Sequence, residues 1–246
     1  MIIVVLPAYN EAEAITPLLN RIAGVAHSHF GSDLQVIVVD DGSSDGTADR
    51  ARAVGGVPVR VIVHERNLGL SGAINTGLSA AVAAASDDDV IVAMDADDTH
   101  NPGLIPRMVG LIEEGNDLVI ASRYQPGALV AGVPGARQIL STGMSWLFRI
   151  VYPVHGAKDY SCGFRAYRAG LLRQAFTRWG DHFISERGFS CMVDILIKLS
   201  LLDAIITEVP MILRYDRKPG KSKMNVRKTV TQTLTLLVRR RLGRLD

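Results

Sequence analysis

The sequence predicts an α/β fold in which a mostly parallel sheet is covered by helices on both faces. Three observations support this. Short β-branched runs alternate with helical stretches through the first half of the chain, and polar clusters directly follow those runs. The 246 residues are 48% hydrophobic and 21% charged, which is typical of a globular domain that buries a sizeable core. This composition excludes a disordered, collagen-like or disulfide-stapled chain.

The predicted strands of the first half are short and bounded by polar residues or glycine, as expected for strands buried on both faces. They cover residues 2–6, 35–40, 59–64, 90–94 and 118–121. The intervening stretches have helical character and cover residues 11–26, 45–54, 71–85 and 102–114. Asp45 and Asn101 stand at N-cap positions of two of these helices. Regular alternation of this kind predicts parallel strands.

The second half of the chain follows a different pattern. A Gly/Pro-rich loop over residues 125–135 precedes an amphipathic helix at 137–154, and an apolar helix is predicted at 186–199. Two short strands are predicted within 204–215. We predict a single domain over residues 1–220, followed by a basic amphipathic helix over residues 221–246.

Aspartates follow two of the predicted strands at the point where each strand ends. Asp40 and Asp41 follow one strand, and Asp95, Asp97 and Asp98 follow another. Ligands of parallel sheets bind at the carboxyl ends of the strands, and crowded carboxylates persist most naturally around a cation. Oxygen ligands of this type suit Mg²⁺ or Mn²⁺ shared with substrate phosphates. These aspartates therefore predict a site in which a divalent cation holds a nucleotide diphosphate.

A simpler interpretation of these clusters exists. Asp-x-Asp occurs in many surface turns, and the residues after the second strand could only cap the next helix. Their coincidence at the ends of strands of one sheet favours a site. The first strand-to-helix turn lacks glycine, which excludes a dinucleotide fingerprint and a phosphate-binding P-loop at that position.

Several motifs resemble the family 2 glycosyltransferases of the GT-A fold, which bind nucleotide-diphospho-sugars. They are residues 7–11 (Pro-Ala-Tyr-Asn-Glu), 38–47 (Val-Val-Asp-Asp-Gly-Ser-Ser-Asp-Gly-Thr) and 94–97 (Met-Asp-Ala-Asp). Within that family the chain is most similar to the dolichyl or polyprenyl phosphate mannosyltransferases. The closer features are residues 69–73, His100, 122–124, 161–165 and 217–223. The resemblance covers nearly the whole chain in the expected order.

The resemblance implies that the protein transfers a hexose to a polyprenyl phosphate. The favoured hexose is mannose, with GDP-mannose as the donor. It implies that Asp95 and Asp97 hold the metal and the diphosphate. The implied donor pocket consists of Pro7, Tyr9, Glu11, Asp40, Asp41, Asp95, Ala96, Asp97 and Arg123. The implied acceptor-phosphate contacts are Arg123, Arg137, Arg217, Lys221, Ser222 and Lys223. Guanidinium groups match phosphate oxygens in a bidentate manner, which agrees with the arginines in this set.

A phosphate acceptor is already anionic and needs no general base, so we expect an inverting in-line displacement without a covalent sugar intermediate. The predicted catalytic residues are Asp97, Arg123, Arg217 and Asp194. Asp194 lies in an apolar helix and has three possible roles: a base, a partner of a buried arginine, or a hydrogen-bond acceptor for a sugar hydroxyl. Asp159 is a second candidate carboxylate, for which a structural loop contact is the favoured alternative.

Two departures from the family pattern affect these expectations. Asp98 and Thr99 replace an apolar residue and Gln or Ser, which predicts that the metal shell extends to them. Thr142 stands where the family usually has Arg or Lys, so one phosphate contact is expected to be missing.

Alternative functions are transfer of another sugar, from a donor such as UDP-glucose, to a hydroxyl with Asp194 as base, or an inactive nucleotide-binding domain tethered by the tail.

Charge is distributed unevenly along the chain. From Arg214 onward there are 11 Lys or Arg and 2 Asp, a net charge of +9, against −7 for the preceding residues and +2 overall. A basic tail predicts an anionic partner. Beyond Tyr215 the tail has no aromatic residues that would stack on bases, so we expect a membrane surface and no nucleic acid.

The helix predicted within residues 139–154 is either a second interfacial helix or a core helix. With two cysteines, no signal peptide and no membrane span expected, the predicted location is the cytoplasm, peripheral to the membrane.

Overall fold

A computed structural model describes residues 1–133, 135–186, 188, 190–217 and 235, without the side chains of 136, 137, 139 and 217. The strands are β1 Ile2–Ala8, β2 Leu34–Asp40, β3 Val59–Val63, β4 Val90–Ala93, β5 Leu118–Ser122, β6 Leu129–Ala131, β7 Arg165–Arg168, β8 Ile206–Pro210 and β9 Ile212–Arg214. The α-helices are α1 Ala12–Val25, α2 Thr47–Arg52, α3 Gly69–Ala84, α4 Ile105–Glu113, α5 Gly135–Val151, α6 Ala169–Trp179 and α7 Ser190–Ser200. All predicted strands and helices of the first half are present, with bounds shifted by a few residues.

Seven strands form the central sheet in the order β3-β2-β1-β4-β7-β5-β8. All neighbouring pairs are parallel except those of β7, which runs antiparallel to both β4 and β5. The strands β6 and β9 form a separate two-stranded parallel sheet. The predicted mostly parallel sheet flanked by helices is confirmed.

The strand β7 and the helix α6 have no counterpart among the predicted elements. The β7 sequence, Arg-Ala-Tyr-Arg, contains two arginines and does not have the apolar pattern of a buried strand. Arg165 is nevertheless fully buried. Its Nη1 and Nη2 donate to the carbonyl oxygens of Met192 at 2.9 Å and Tyr160 at 2.7 Å, which compensates part of the cost of burial.

The two predicted N-caps have different outcomes. The Asn101 side chain accepts a hydrogen bond from the Gly103 N–H at 3.1 Å and caps the short helix Pro102–Leu104, as predicted. The residue before α2 is Gly46, in the left-handed conformation with φ 85°. The Asp45 carboxylate instead accepts from the Thr47 N–H and hydroxyl, and it also accepts from Ala12 N–H in α1.

The core lies on both faces of the sheet, and residues 3–6 of β1 are completely buried. The helix α3 packs closely against this strand at Gly77, where an added Cβ would lie 2.4 Å from Cγ1 of Val5. In the described part of the chain, no helix is both long and apolar enough to span a bilayer.

Candidate active site

A cavity of about 600 Å³ opens at the carboxyl ends of β1, β2, β4 and β5. This is the edge where ligands of parallel sheets bind. Eight of the residues predicted from the sequence line it: Pro7, Tyr9, Glu11, Asp41, Asp95, Ala96, Asp97 and Arg123. The polar clusters that were separate along the chain therefore lie around one space.

The loops that follow β1 and β2 are joined by hydrogen bonds. Asn10 N–H donates to the Ser43 hydroxyl at 2.9 Å, and its side-chain oxygen accepts from Ser44 N–H at 2.9 Å. Glu11 N–H donates to the Thr47 hydroxyl at 2.9 Å. These contacts fix the cavity wall that carries Tyr9 and Glu11.

The two aspartates at the end of β2 organise loops. Asp40 is buried beside the cavity and accepts from Ser43 N–H at 2.8 Å. Asp41 accepts from the backbone N–H groups of Leu68 and Gly69, both at 2.8 Å, and lies 2.7 Å from Nδ1 of His64. Asp41 thereby connects the end of β2 to the start of α3.

Asp95 is the most exposed carboxylate among the predicted metal ligands, with 35% of its side chain accessible. Its backbone N–H donates to Nδ1 of His100 at 3.3 Å, and Nε2 of His100 lies 3.9 Å from the Asp95 carboxylate. The His100 ring stacks on Phe164. Gly163 provides the remaining space, because an added Cβ would lie 3.0 Å from Oδ1 of Asp95.

Asp97 is largely buried and is held by the residue two positions later. Its Oδ1 accepts from the Thr99 hydroxyl at 2.7 Å and from Thr99 N–H at 3.2 Å. Asp98 forms an ion pair with Arg21 of α1. Asp98 thus faces α1 and the Thr99 hydroxyl bonds to Asp97, so these contacts do not support the predicted extension of the metal shell to Asp98 and Thr99.

The donor set fits a hard divalent cation. Asp95 and Asp97 offer carboxylate oxygens at the cavity wall, and oxygen ligands are those that Mg²⁺ and Mn²⁺ prefer. Among the described residues, no group of three or more His, Cys, Asp or Glu side chains is arranged as a complete metal site. The protein would supply two ligands and leave the other positions for substrate oxygens and water.

Arg123 is also held at the wall of the cavity. Its Nε and Nη2 donate to the two carboxylate oxygens of Asp159 at 2.8 and 2.6 Å, and Nη2 also donates to the Ser161 hydroxyl at 2.8 Å. The side chain keeps 22% of its surface accessible and lines the cavity. Asp159 is fully buried, which agrees with the predicted structural loop contact for this residue.

The charges of this pair support each other. Burial alone would lower the pKa of Arg123, but the adjacent Asp159 carboxylate raises it above its ordinary value. Burial alone would raise the pKa of Asp159, but Arg123 and its hydrogen bonds hold it below its ordinary value. Both groups therefore stay charged at neutral pH.

The helix α5 contributes an apolar wall. Leu140, Met144 and Phe148 line the cavity together with Ser141, whose hydroxyl lies 2.8 Å from the Tyr124 hydroxyl. Thr142 also lines it, and its hydroxyl donates to the Gln138 carbonyl within the same helix.

One side of this helix packs in the core, and the alternative of an interfacial helix stays a prediction. Phe148 is buried and stacks on Tyr160, whereas Trp146 and Ile150 are exposed, with Arg149 placed over the Trp146 ring.

Five of the six predicted acceptor residues cannot be placed. The Arg137 and Arg217 side chains, Lys221, Ser222 and Lys223 with the predicted C-terminal helix lie outside the described residues, apart from Thr235. The backbone of Arg217 ends a short helix, Tyr215–Arg217, and Tyr215 lines the cavity.

The structure does not bring Asp194 to the cavity. Its carboxylate is fully buried in α7 and lies 2.9 Å from Nζ of Lys198, one turn further along the helix. Lys198 also donates to the carbonyl oxygens of His182 and Phe183. A general base must reach the substrate hydroxyl, so this position contradicts a catalytic role for Asp194. The spacing of four residues was visible in the sequence as an ion-pair signal.

Comparison with known proteins identifies the family. The pattern of Glycosyl transferase family 2 matches residues 3–176. The chain belongs to this family. It is a glycosyltransferase, and the alternative of an inactive nucleotide-binding tether is not supported.

Curated family 2 relatives match nearly the whole chain. The dolichol-phosphate mannosyltransferase of Pyrococcus furiosus is 33% identical over 90% of this chain and 58% of its own length, so the chain spans little more than half of that relative. The undecaprenyl-phosphate mannosyltransferase of Micrococcus luteus is 33% identical over 91% of this chain and 87% of its own length. The polyprenol monophosphomannose synthase of Mycolicibacterium smegmatis is 31% identical, with 98% and 89% covered.

Solved structures of other transferases share the GT-A-like fold. Glucosyl-3-phosphoglycerate synthase from Mycobacterium tuberculosis, crystallised with Mn²⁺, UDP and glucosyl-3-phosphoglycerate, aligns with a TM-score of 0.66 and 23% identity over 100% of this chain and 81% of its own. The same enzyme was also crystallised with Mg²⁺ and UDP. Mannosyl-3-phosphoglycerate synthase from Rubrobacter xylanophilus aligns with a TM-score of 0.65 and 20% identity, with 99% and 74% covered. These identities support the fold alone.

Sequence reasoning missed several residues that shape the site of this glycosyltransferase. The sequence pattern does not indicate that the Thr99 hydroxyl bonds to Asp97, or that Glu208 accepts hydrogen bonds from the N–H groups of Lys158 and Asp159 beside Arg123. Gly163 appeared only as part of a motif. Gly163 and Glu208 act through contacts between segments distant in sequence, for which a single sequence gives no spacing signal, whereas the contact of Thr99 with Asp97 spans only two residues.

Proposed function

We propose that this family 2 glycosyltransferase transfers mannose from GDP-mannose to a polyprenyl phosphate, with inversion and with a divalent cation. The main observation in support is that one cavity is lined by the carboxylates of Asp95 and Asp97, by Arg123 and by apolar side chains of α5. The names of the relatives that are 31–33% identical support the choice of mannose and of a polyprenyl phosphate.

The donor would bind at the ends of β1, β2 and β4. Pro7, Tyr9 and Glu11 line this part of the cavity, and Asp40 and Asp41 hold the loops around it. Asp95 and Asp97 would hold the cation, which supplies charge neutralisation for the departing nucleoside diphosphate. The Thr99 hydroxyl keeps the Asp97 carboxylate oriented toward that position.

The acceptor would enter between α5 and Arg123. Arg123 is a fixed cation at the wall, and a guanidinium group is suited to a phosphate monoester. Leu140, Met144 and Phe148 provide apolar surface that suits the first carbons of a prenyl chain. The phosphate oxygen is anionic at neutral pH and attacks without a general base, in keeping with the position of Asp194.

Membrane contact belongs to the same proposal. Exposed Trp146 and Ile150 on α5, with Arg149 beside them, offer apolar and cationic groups next to the cavity. Together with the basic residues 221–246, this suits peripheral attachment to the cytoplasmic face of an anionic membrane. Vesicles of phosphatidylglycerol and phosphatidylcholine test it, since binding should fall with salt and with removal of residues 221–246.

The experiment is a donor panel of GDP-mannose, UDP-glucose and UDP-glucuronic acid, assayed with Mn²⁺ and a short polyprenyl phosphate. We expect mannolipid formation that is lost with EDTA and restored with Mn²⁺ or Mg²⁺. A parallel arm replaces the prenyl phosphate with the prenyl alcohol or with 3-phosphoglycerate. Transfer to either of these acceptors and not to the prenyl phosphate would refute the proposal.

A further inference from the structure

Two buried carboxylates lie behind Arg123 and do not line the cavity. We propose that Asp159 and Glu208 are positioning residues, which together fix the guanidinium of Arg123 at the cavity wall. This proposal rests on the proposed function in one respect, namely that Arg123 binds the acceptor phosphate. The fixation itself follows from the contacts below.

Asp159 accepts four hydrogen bonds with its two oxygens. Arg123 contributes three, from Nε at 2.8 Å, from Nη2 at 2.6 Å and from its backbone N–H at 3.1 Å. The fourth comes from the Cys162 N–H at 3.2 Å. A bidentate pair with a fully buried carboxylate leaves the guanidinium plane little freedom to rotate.

Glu208 in turn fixes Asp159 through the backbone. Its Oε1 accepts from the N–H groups of Lys158 and Asp159, both at 2.6 Å. Glu208 lies in β8, paired with Ile120 of β5, three residues before Arg123. The paired strands β5 and β8 thus hold both groups in place. Arg123 directly follows β5, and Glu208 in β8 anchors the backbone of Asp159, the partner of Arg123.

The connection also reaches α5. The Ser145 hydroxyl donates to the Lys158 carbonyl at 2.6 Å, and the Tyr160 hydroxyl donates to the Tyr152 carbonyl at 2.9 Å. Removing the Glu208 carboxylate would leave the buried N–H of Asp159 and the partly buried N–H of Lys158 without this acceptor. The segment that carries Asp159 would then shift, and a displacement of about 1 Å at a phosphate-binding group is costly for transfer.

The test is a double-mutant cycle on transfer to the polyprenyl phosphate. Glu208→Ala should lower kcat/KM for the acceptor about 10-fold, mainly through KM, and Arg123→Ala about 100-fold. Because both changes act through the same guanidinium, the double variant should lose about 100-fold rather than about 1000-fold. Glu208→Gln retains an oxygen acceptor and should stay within about 3-fold of wild type. Multiplicative losses would overturn the proposal.

A second readout does not depend on the reaction. In NMR spectra of protein labelled with ¹⁵N-arginine, the Arg123 Nε–H signal is assigned by its absence in Arg123→Lys. Its exchange with solvent should be slow in wild type and about 10-fold faster in Glu208→Ala or in Asp159→Asn. Unchanged exchange in both variants would overturn the positioning role even if no glycolipid forms. Absence of glycolipid in wild type counts against the proposed function alone.

Asp117→Ala is the matched control. Asp117 also connects the β5 and β8 segments, because its carboxylate accepts from the Ile205 N–H at 2.9 Å. This contact lies at the start of the two strands, at the end away from the cavity. Equal effects of Asp117→Ala and Glu208→Ala on acceptor KM and on Arg123 exchange would indicate general destabilisation and refute the proposal. If Glu208→Ala fails to fold, Asp159→Asn takes its place in the cycle, with the same expected result.

Discussion

Asp95 and Asp97 are separated by one residue, yet their surroundings differ. Asp95 has 35% of its side chain accessible and faces His100, whereas Asp97 is 8% exposed and bonded to Thr99. One carboxylate is therefore open to ligands, and the other is held by hydrogen bonds that include those of the Thr99 hydroxyl and backbone N–H. This difference makes Thr99 a sensitive probe of the predicted metal site.

We predict that Thr99→Val weakens metal use without abolishing activity. A hydrogen bond to a charged group contributes about 1.5–3 kcal/mol, so the metal concentration for half-maximal activity should rise roughly 10-fold or more. Asp97→Asn should lower kcat/KM by at least about 100-fold at any metal concentration. Titration of Mn²⁺ against initial rate measures both, and equal metal dependence of Thr99→Val and wild type would contradict the role of Thr99.

Gly163 gives a second prediction for a single residue. Its Cβ in Gly163→Ala would lie 3.0 Å from Oδ1 of Asp95, and the carboxylate would have to move. We expect transferase activity to fall about 10-fold or more while the thermal unfolding midpoint changes little. A variant with full activity would show that Asp95 can shift without loss, and would remove it as a precisely placed ligand.

At the scale of elements, the loops around the cavity depend on how closely the helices approach the sheet. The helix α3 begins at the residues held by Asp41 and crosses β1 at Gly77. Only a glycine permits this approach, because Cγ1 of Val5 occupies the space that a side chain would need. The packing of one helix therefore determines where the part of the cavity wall formed by Gly69 and Leu70 lies.

We predict that Gly77→Ala destabilises the fold by about 1–3 kcal/mol through overpacking. Gly110→Ala in α4 is the matched control, because an added Cβ there meets no atom within 4 Å. A helix interior favours Ala over Gly by roughly 0.5–1 kcal/mol, so the control should be neutral or stabilising. Urea unfolding monitored by circular dichroism distinguishes the two, and equal stability would contradict close α3–β1 packing.

For the whole molecule, stability should depend on acidic pH through Asp159. Its pKa lies below the ordinary value of 3.8 in the folded protein, because Arg123 and backbone donors outweigh burial. The unfolded chain then binds more protons as pH falls, so the stabilisation present above about pH 4 is lost below it. Urea unfolding between pH 3 and 7 should show this fall, and a reduced slope in Asp159→Asn. The exposed Asp49→Asn should keep the wild-type slope.

The sequence predicts the parallel part of this fold well and its exceptions poorly. Strands such as β1 and β2 are apolar on both faces, and their carboxyl ends carry the polar motifs, so both the sheet and its functional edge follow from local patterns. The strand β7 escapes prediction because Arg165 is buried through bonds to distant carbonyl groups. Asp194 was misassigned because an apolar helix surrounds a charge whose partner, Lys198, is on that same helix.

The reversed direction of β7 has a consequence for how this enzyme can be altered. The neighbouring strands β4 and β5 end at the cavity, whereas β7 begins there. The segment of residues 152–164 that leads into β7 therefore contains Asp159 and Ser161, which bond to Arg123, and Gly163, which lies next to Asp95. Both halves of the pocket thus share one short stretch of chain. Grafting that stretch from another transferase would exchange the two recognition features as a unit, and would preserve the spacing between them.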